Sequence, residues 1–173
     1  MSAFMRSKAP PRSDATPAGH LVEAQLHRVL GYQLAQAAIA TTAVYTQAVG
    51  EPFGLRPVEF TILSLIDQNP GGSPAQLAKA LAVTAPNITM WVDRLEAQGW
   101  VVRRRSETDK RALHLGLTAR GAALVAKATE RVLAGEQKAF ASLSEGERIM
   151  LVELLHKVAC SRPTQGGENA TKA

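Results

Sequence analysis

The chain has a single cysteine, Cys160, among its 173 residues, and only 5% of its residues are aromatic. One cysteine excludes an internal disulfide, which rules out a disulfide-stapled secreted scaffold and points to a reducing, cytoplasmic setting. Four scattered histidines give no ligand spacing for zinc. His156 and Cys160 lie one helical turn apart, but no Gly-rich nucleophile elbow or oxyanion motif accompanies them. No catalytic residue, metal or cofactor is therefore expected. Long apolar runs are missing as well. The most apolar segment, LAQAAIATTAVYTQAVG from Leu34, is interrupted by Gln and Thr and falls short of about 20 apolar residues, so no membrane span is expected. The chain has no internal repeat, and no interleaved aromatic sheet motif suggests RNA.

Acidic residues are also in deficit. Lys and Arg number 20 against 15 Asp and Glu, which gives a formal charge of +5 and a pI near 9.7. An acidic partner fits that balance. The hydrophobic share of 46% supports a folded chain with a sizeable core.

Composition divides the chain. Residues 1–19, with their Pro, Ser and Ala, read as a disordered arm, and residues 162–173 read as a flexible tail. Between them, Leu21 to Val49 is helix-friendly throughout and GEPFGLRP stops it, which predicts one long helix over 20–50. PVEFTILSLIDQNPGG predicts a second helix, with Val58, Ile62, Leu65 and Ile66 at helical spacing and Asn69-Pro70-Gly71-Gly72 as its end. In SPAQLAKALAV, Ser73 and Gln76 form a capping box around Pro74, and Leu77, Ala80 and Leu81 supply the buried face. After a tight turn at Ala82 and Val83, Thr84 can cap APNITMWVDRLEAQG, whose Ile88, Trp91, Val92 and Leu95 share one side. Gly99 ends it. Two short helices meeting at a tight turn form a helix-turn-helix.

The next residues make the pattern specific. WVVRRR alternates as a strand, SETDK is polar turn material, and RALHLGLT places Leu113, Leu115 and Leu117 on one face of a returning strand. A β-hairpin directly after the second helix of a helix-turn-helix makes a winged helix. The hairpin is basic: residues 100–111 carry Arg103, Arg104, Arg105, Lys110 and Arg111 against Glu107 and Asp109. Trp91 and Trp100 fit the apolar faces of their elements and read as core packing, not as stacking platforms for bases. Residues 51–117 thus read as a DNA-binding lobe.

The stretch VTAPNITMWVDRLEAQGWVVRRRSETDKRALHLGLTARG, Val83 to Gly121, resembles the MarR family of transcriptional regulators. It shares that family's V-D-R-L-E-x-x-G helix end, its D-x-R wing and its L-T-x-x-G exit, and the likeness extends from about residue 20 to residue 160. The resemblance implies a mainly α fold with a small β-wing, in which helices from 20–50 and 118–161 form a dimerisation region. It implies a homodimer on a pseudo-palindromic double-stranded operator, commonly acting as a repressor. A constitutive architectural DNA binder without effector control is the alternative.

In that frame, the recognition helix would present Thr84, Ala85, Pro86, Asn87, Thr89, Met90 and Arg94 to DNA. Asn87 suits an adenine edge, Thr89 or Met90 a thymine methyl, and Arg94 a phosphate or an intramolecular carboxylate. Pro86 and Met90 depart from the polar or basic residues common in relatives. In the wing, Arg111 suits a narrow A·T minor groove, Asp109 suits the task of orienting it, and Lys110 offers a point charge. Arg103, Arg104 and Arg105 would divide between phosphate contacts and solvated strand faces. The resemblance also implies a pocket for an aromatic or phenolic carboxylate, for which His27, Arg28, Tyr32 and Gln36 are the candidates. Finally, SEGERIMLVELLHKVACS opens with a capping box, Ser144 to Glu147, and carries more apolar residues than one face needs. Surplus apolar surface on a terminal helix calls for a partner. Cys160 reads there as a small buried or semi-exposed apolar residue.

Overall fold

The structure, a computed structural model, describes residues 15–105 and 113–162. It is mainly helical, with one antiparallel two-stranded sheet, and it divides after Gly135 into two compact units.

The first unit opens with a 3-10 turn, Ala24–Arg28, followed by helix α1, Leu30–Tyr45. The helix runs on through a π-helical turn, Thr46–Gly50, into a short α2, Glu51–Phe53. The single helix expected from Leu21 therefore starts only at Leu30 and ends later than Val49. Val29, extended at φ −86° and ψ 110°, breaks the chain before α1, and Ala24 takes a positive φ of 48°. Pro52 does not stop the helix at its far end, because it sits in the first turn of α2, where its missing N–H costs little. Gly54 stops it instead, with φ 61° in the left-handed region.

Helix α3, Pro57–Gln68, buries Ile62, Leu63 and Ile66. Val58 and Leu65, expected on that face, are only partly buried against the core. Helix α4, Pro74–Leu81, has the anticipated capping box: Ser73 N–H donates to Gln76 Oε1 (2.8 Å), and Gln76 N–H donates to Ser73 Oγ (3.3 Å). Leu77, Ala78 and Leu81 face the core, while Ala80 is exposed. The turn to the next helix is made by Ala82, a non-glycine residue at φ 54°, with Val83 N–H reaching back to the Ala78 carbonyl at 3.0 Å. Helix α5, Ala85–Ala97, fully buries Ile88, Val92 and Leu95. Thr84 occupies the N-cap position in extended conformation, yet its side chain makes no cap hydrogen bond.

Strands β1, Val101–Arg105, and β2, Leu113–Leu117, pair antiparallel in a register that sets Val101 opposite Leu117 and Arg103 opposite Leu115. Leu115 is buried and Leu117 packs on the core, but Leu113 is exposed toward the tip of the hairpin. The other edge of β2 is tied to the loop before α4, where Leu115 N–H donates to Gly72 O at 2.9 Å. The core joins these elements to the end of α1. Tyr45 packs its ring on Phe60 at 5.9 Å between centroids and donates its hydroxyl to Leu55 O at 3.1 Å. Burial pushes that phenol up to about 12.

Helix α6, Ala119–Ala139, leaves the sheet through a joint that explains the L-T-x-x-G exit. Thr118 Oγ1 donates to Gly99 O (2.7 Å) and accepts from Gly121 N–H (3.0 Å). A Cβ at Gly121 would fall 2.1 Å from the Trp100 carbonyl oxygen, so only glycine allows the helix to start so close to β1. Further along, Gly135 lets α6 approach α1, since a Cβ there would meet Val44 Cγ1 at 3.1 Å.

The second unit carries helix α7, Glu145–Cys160. Its capping box closes as expected, with Ser144 N–H donating to Glu147 Oε2 (2.8 Å) and Glu147 N–H to Ser144 Oγ (3.3 Å). The Ser144 hydrogen bonds hold the Glu147 carboxyl below its usual range. No residue of α7 is buried. Cys160 is exposed, with its Sγ 3.6 Å from His156 Nε2. No helix among the described residues is long and apolar enough to cross a membrane, and no cluster of His, Cys, Asp and Glu among them could hold a metal.

Candidate nucleic-acid interface

Helix α5 sets its buried stripe, Ile88, Val92 and Leu95, against the core, which turns the opposite stripe outward. Thr84, Ala85, Pro86, Asn87, Thr89, Met90, Asp93, Arg94 and Ala97 are all exposed. Helical geometry places Pro86, Met90 and Ala97 along the middle of that outward face. Thr89 and Asp93 flank them on one side, and Asn87 and Arg94 on the other.

The polar groups of this face are mostly engaged within the chain. Thr89 Oγ1 donates to the Ala85 carbonyl at 3.0 Å, a bond that leaves its methyl for any outside contact. Arg94 Nε sits 3.1 Å from Glu59 Oε1. Glu59 is a carboxylate only 1% exposed, whose other oxygen accepts the Arg56 N–H at 2.9 Å. The Arg94 contact is an ion pair without hydrogen-bond alignment, since Glu59 Oε1 accepts no hydrogen bond. Of the two roles open to Arg94 in the sequence, the structure displays the intramolecular carboxylate. It pins α5 to α3.

A second clamp holds the wing. Arg103 donates from Nη1 to Glu96 Oε2 at 2.7 Å and from Nη2 to Asp93 Oδ1. This bidentate fork ties β1 to α5 and covers two carboxylates that would otherwise repel phosphate beside the reading face. Arg103, expected among the phosphate-contacting or solvated arginines, instead commits both Nη groups within the chain itself. Arg104, one residue on, is exposed and pairs with His114 across the sheet. His114 contacts the Gly71 carbonyl through Nδ1. Arg105 closes β1 opposite Leu113. Asp109, Lys110 and Arg111 lie outside the described residues. Trp91 and Trp100 pack against the core, as read from the sequence.

Two of the candidates for an aromatic ligand, His27 and Tyr32, are organised around Glu23, a residue that the sequence does not single out. Glu23 is buried, accepting from His27 Nδ1–H at 2.8 Å and from the Tyr32 hydroxyl at 2.9 Å. The His27 hydrogen bond holds the Glu23 carboxyl below its usual range, and desolvation raises the Tyr32 phenol above its own. Arg28 is exposed and Gln36 half-buried, and neither is among the hydrogen-bond partners of Glu23. His27 stands only four residues from Glu23, a spacing the sequence does display, whereas Tyr32 reaches the carboxylate from beyond the break at Val29, which the spacing does not reveal.

The chain is similar to known proteins in sequence and fold. The family model for the MarR family matches residues 55–113, from just before α3 to the start of β2. A Thauera aromatica protein named for transcriptional regulation of the hcr operon is 32% identical over 138 residues, covering 80% of this chain and 83% of its own. The transcriptional repressor CouR, solved on a 23-mer DNA duplex, superposes with a TM-score of 0.73 at 32% identity, covering 80% of this chain and 98% of that one. Rv2887 of Mycobacterium tuberculosis, solved with p-aminosalicylic acid, superposes with a TM-score of 0.60 at 32% identity, covering 75% of this chain and 98% of that one.

Proposed function

Because the chain belongs to the MarR family of transcriptional regulators, which are DNA-binding proteins and not enzymes, we propose that it is a cytoplasmic homodimeric repressor of a pseudo-palindromic operator, released by a small aromatic acid. The observation that carries this reading is the outward face of α5 beside a basic hairpin, in a fold that superposes on a repressor bound to duplex DNA. An α-helix of this kind fits the major groove, and a wing reaches the adjacent minor groove or backbone. In the wing, Arg104, Arg105, Lys110 and Arg111 supply the cations, and Asp109 orients Arg111.

Dimerisation is supported by α7. Ile149, Met150, Val152 and Leu154 are all more than half exposed, a surface that a stable monomer rarely leaves to water. A second copy paired through the terminal helices covers it and brings two recognition helices to two half-sites. The aromatic acid in the Rv2887 structure supports the chemistry of the effector. Here its carboxylate would take the place of Glu23 at His27 and Tyr32, with Arg28 and Gln36 as further candidate contacts.

The test is titration of the purified protein against the DNA flanking its own gene and against a scrambled duplex, across a salt series. A preference of about a thousandfold or more for the flanking DNA, lost on addition of salicylate-type acids, is the expected result. Equal, steeply salt-dependent binding to both duplexes would replace this reading with that of an architectural binder.

A further inference from the structure

Resting on the operator-binding reading above, we propose that the recognition helix reads its half-site chiefly through thymine methyl groups, with Met90 as the specificity-determining residue.

Two observations lead there. The charged side chains along α5 past its first turn are committed elsewhere: Asp93 and Glu96 to Arg103, and Arg94 to Glu59. The hydroxyl of Thr89 is committed to Ala85. What remains along the centre of the outward face is apolar: Pro86, Met90 and Ala97, with Met90 56% exposed. A long, flexible thioether held in water at the middle of a helix is unfavourable unless something covers it in the working state. In the major groove only thymine offers an apolar group, its C5 methyl; the other base edges present donors and acceptors. An apolar ridge pressed against guanine or cytosine would leave those donors and acceptors unpaired, a penalty that discriminates as strongly as an attractive contact. Asn87, exposed beside the ridge, has an amide suited to the N6 and N7 edge of adenine, which would set an adenine next to the contacted thymine. The ion pairs that flank the ridge also fix its position. Arg94 and Arg103 brace α5 on two sides, so Met90 is delivered to one place in the groove.

The experiment uses the full chain and a duplex it selects from a randomised library. Each thymine of that duplex is then replaced singly by deoxyuridine, which removes the methyl and leaves every hydrogen-bonding edge intact. At one or more positions in each half-site, affinity is expected to fall about fourfold, as for the loss of one buried methyl-sized group. Met90→Ala should weaken binding to the parent duplex and bring the thymine-to-uracil ratio at those positions close to one, while Met90→Leu should retain the ratio. Because Met90 is exposed, neither variant threatens the fold. If the wild type prefers its selected duplex over scrambled DNA and yet binds every uracil duplex equally well, the methyl readout is wrong and operator recognition stands. If it selects no sequence and binds scrambled DNA equally, both are overturned.

Discussion

Helices α5 and α7 both carry substantial apolar surface and meet opposite fates. In α5 the apolar residues Ile88, Val92 and Leu95 fall on one stripe and are fully buried within their own unit. In α7 they run around the helix from Ile149 to Val158, and all of them remain exposed, Ile149 at 63% and Leu155 at 40%. A single stripe can be satisfied by one neighbouring layer, whereas a helix that is apolar on several sides needs covering on several sides. The two helices also differ in how they treat charge. The carboxylates of α5 are matched to Arg103 from β1 and its Arg94 to Glu59 of α3, whereas the ion pair within α7, Lys157 with Glu153 at 3.8 Å, is a solvated turn-to-turn contact. One helix is finished by its own chain and held in a fixed position; the other keeps its apolar side chains exposed.

The strongest way to break that contrast is to make α7 polar. Leu151→Lys together with Leu155→Lys places two charges one turn apart on an exposed face, so the monomer fold should survive, as read by circular dichroism. The dimer should not survive: each leucine loses burial worth about 1.5–3 kcal/mol, and the symmetric dimer loses it twice. Sedimentation equilibrium should show a monomer, and operator affinity should fall by more than about a hundredfold as the two half-sites cease to be bound together. A dimer that persists unchanged would mean that α7 is covered by something other than a second copy.

The contrast also marks what could be read from the sequence. Capping boxes at Ser73 and Ser144, the glycines at 99 and 121, and the alternation of β2 are local signals, and each appears where its residues place it. The helix-turn-helix and the wing follow from such signals in series. Missed features depend on approach between distant residues. Arg103 lies 7 residues from Glu96 and 10 from Asp93, and nothing in the spacing marks it as a clamp in place of a phosphate contact. Glu59 reads as an ordinary first-turn carboxylate until Arg94 arrives over it. The late start of α1 escaped because LVEAQLHR before Val29 and the Ala-rich stretch after it both hold good helix formers and give no sign of a break.

An intermediate effect separates two arginines that composition treats alike. Arg111→Ala is expected to weaken operator binding by about 1–3 kcal/mol and to lower the salt slope by about one, as for a side chain that meets DNA. Arg103→Ala should weaken it by about 1 kcal/mol with little change in slope, because its loss uncovers Asp93 and Glu96 and removes no phosphate contact. Adding Asp93→Asn and Glu96→Gln should then restore most of the affinity. If Arg103 instead met phosphate, the two neutralisations would not compensate for its loss, and a double-mutant cycle across the three sites reads the difference directly.

The smallest effect asks whether a clamp away from α5 also holds structure, and here pH supplies the probe. The folded Glu23 carboxyl titrates below its ordinary value of 4.5, first because His27 donates to it and next because Tyr32 does. A depressed folded value means that the folded state releases this proton more readily than the unfolded one. The contribution to stability is therefore present above about 4.5 and is lost as pH falls through the lower folded value. Wild type should melt above Glu23→Gln at pH 6, and the gap between the two melting temperatures should close on acidification below 4.5. A gap that stays constant with pH would mean that Glu23 contributes through packing alone, and that the Glu23, His27 and Tyr32 cluster lacks the electrostatic coupling seen between α5 and β1.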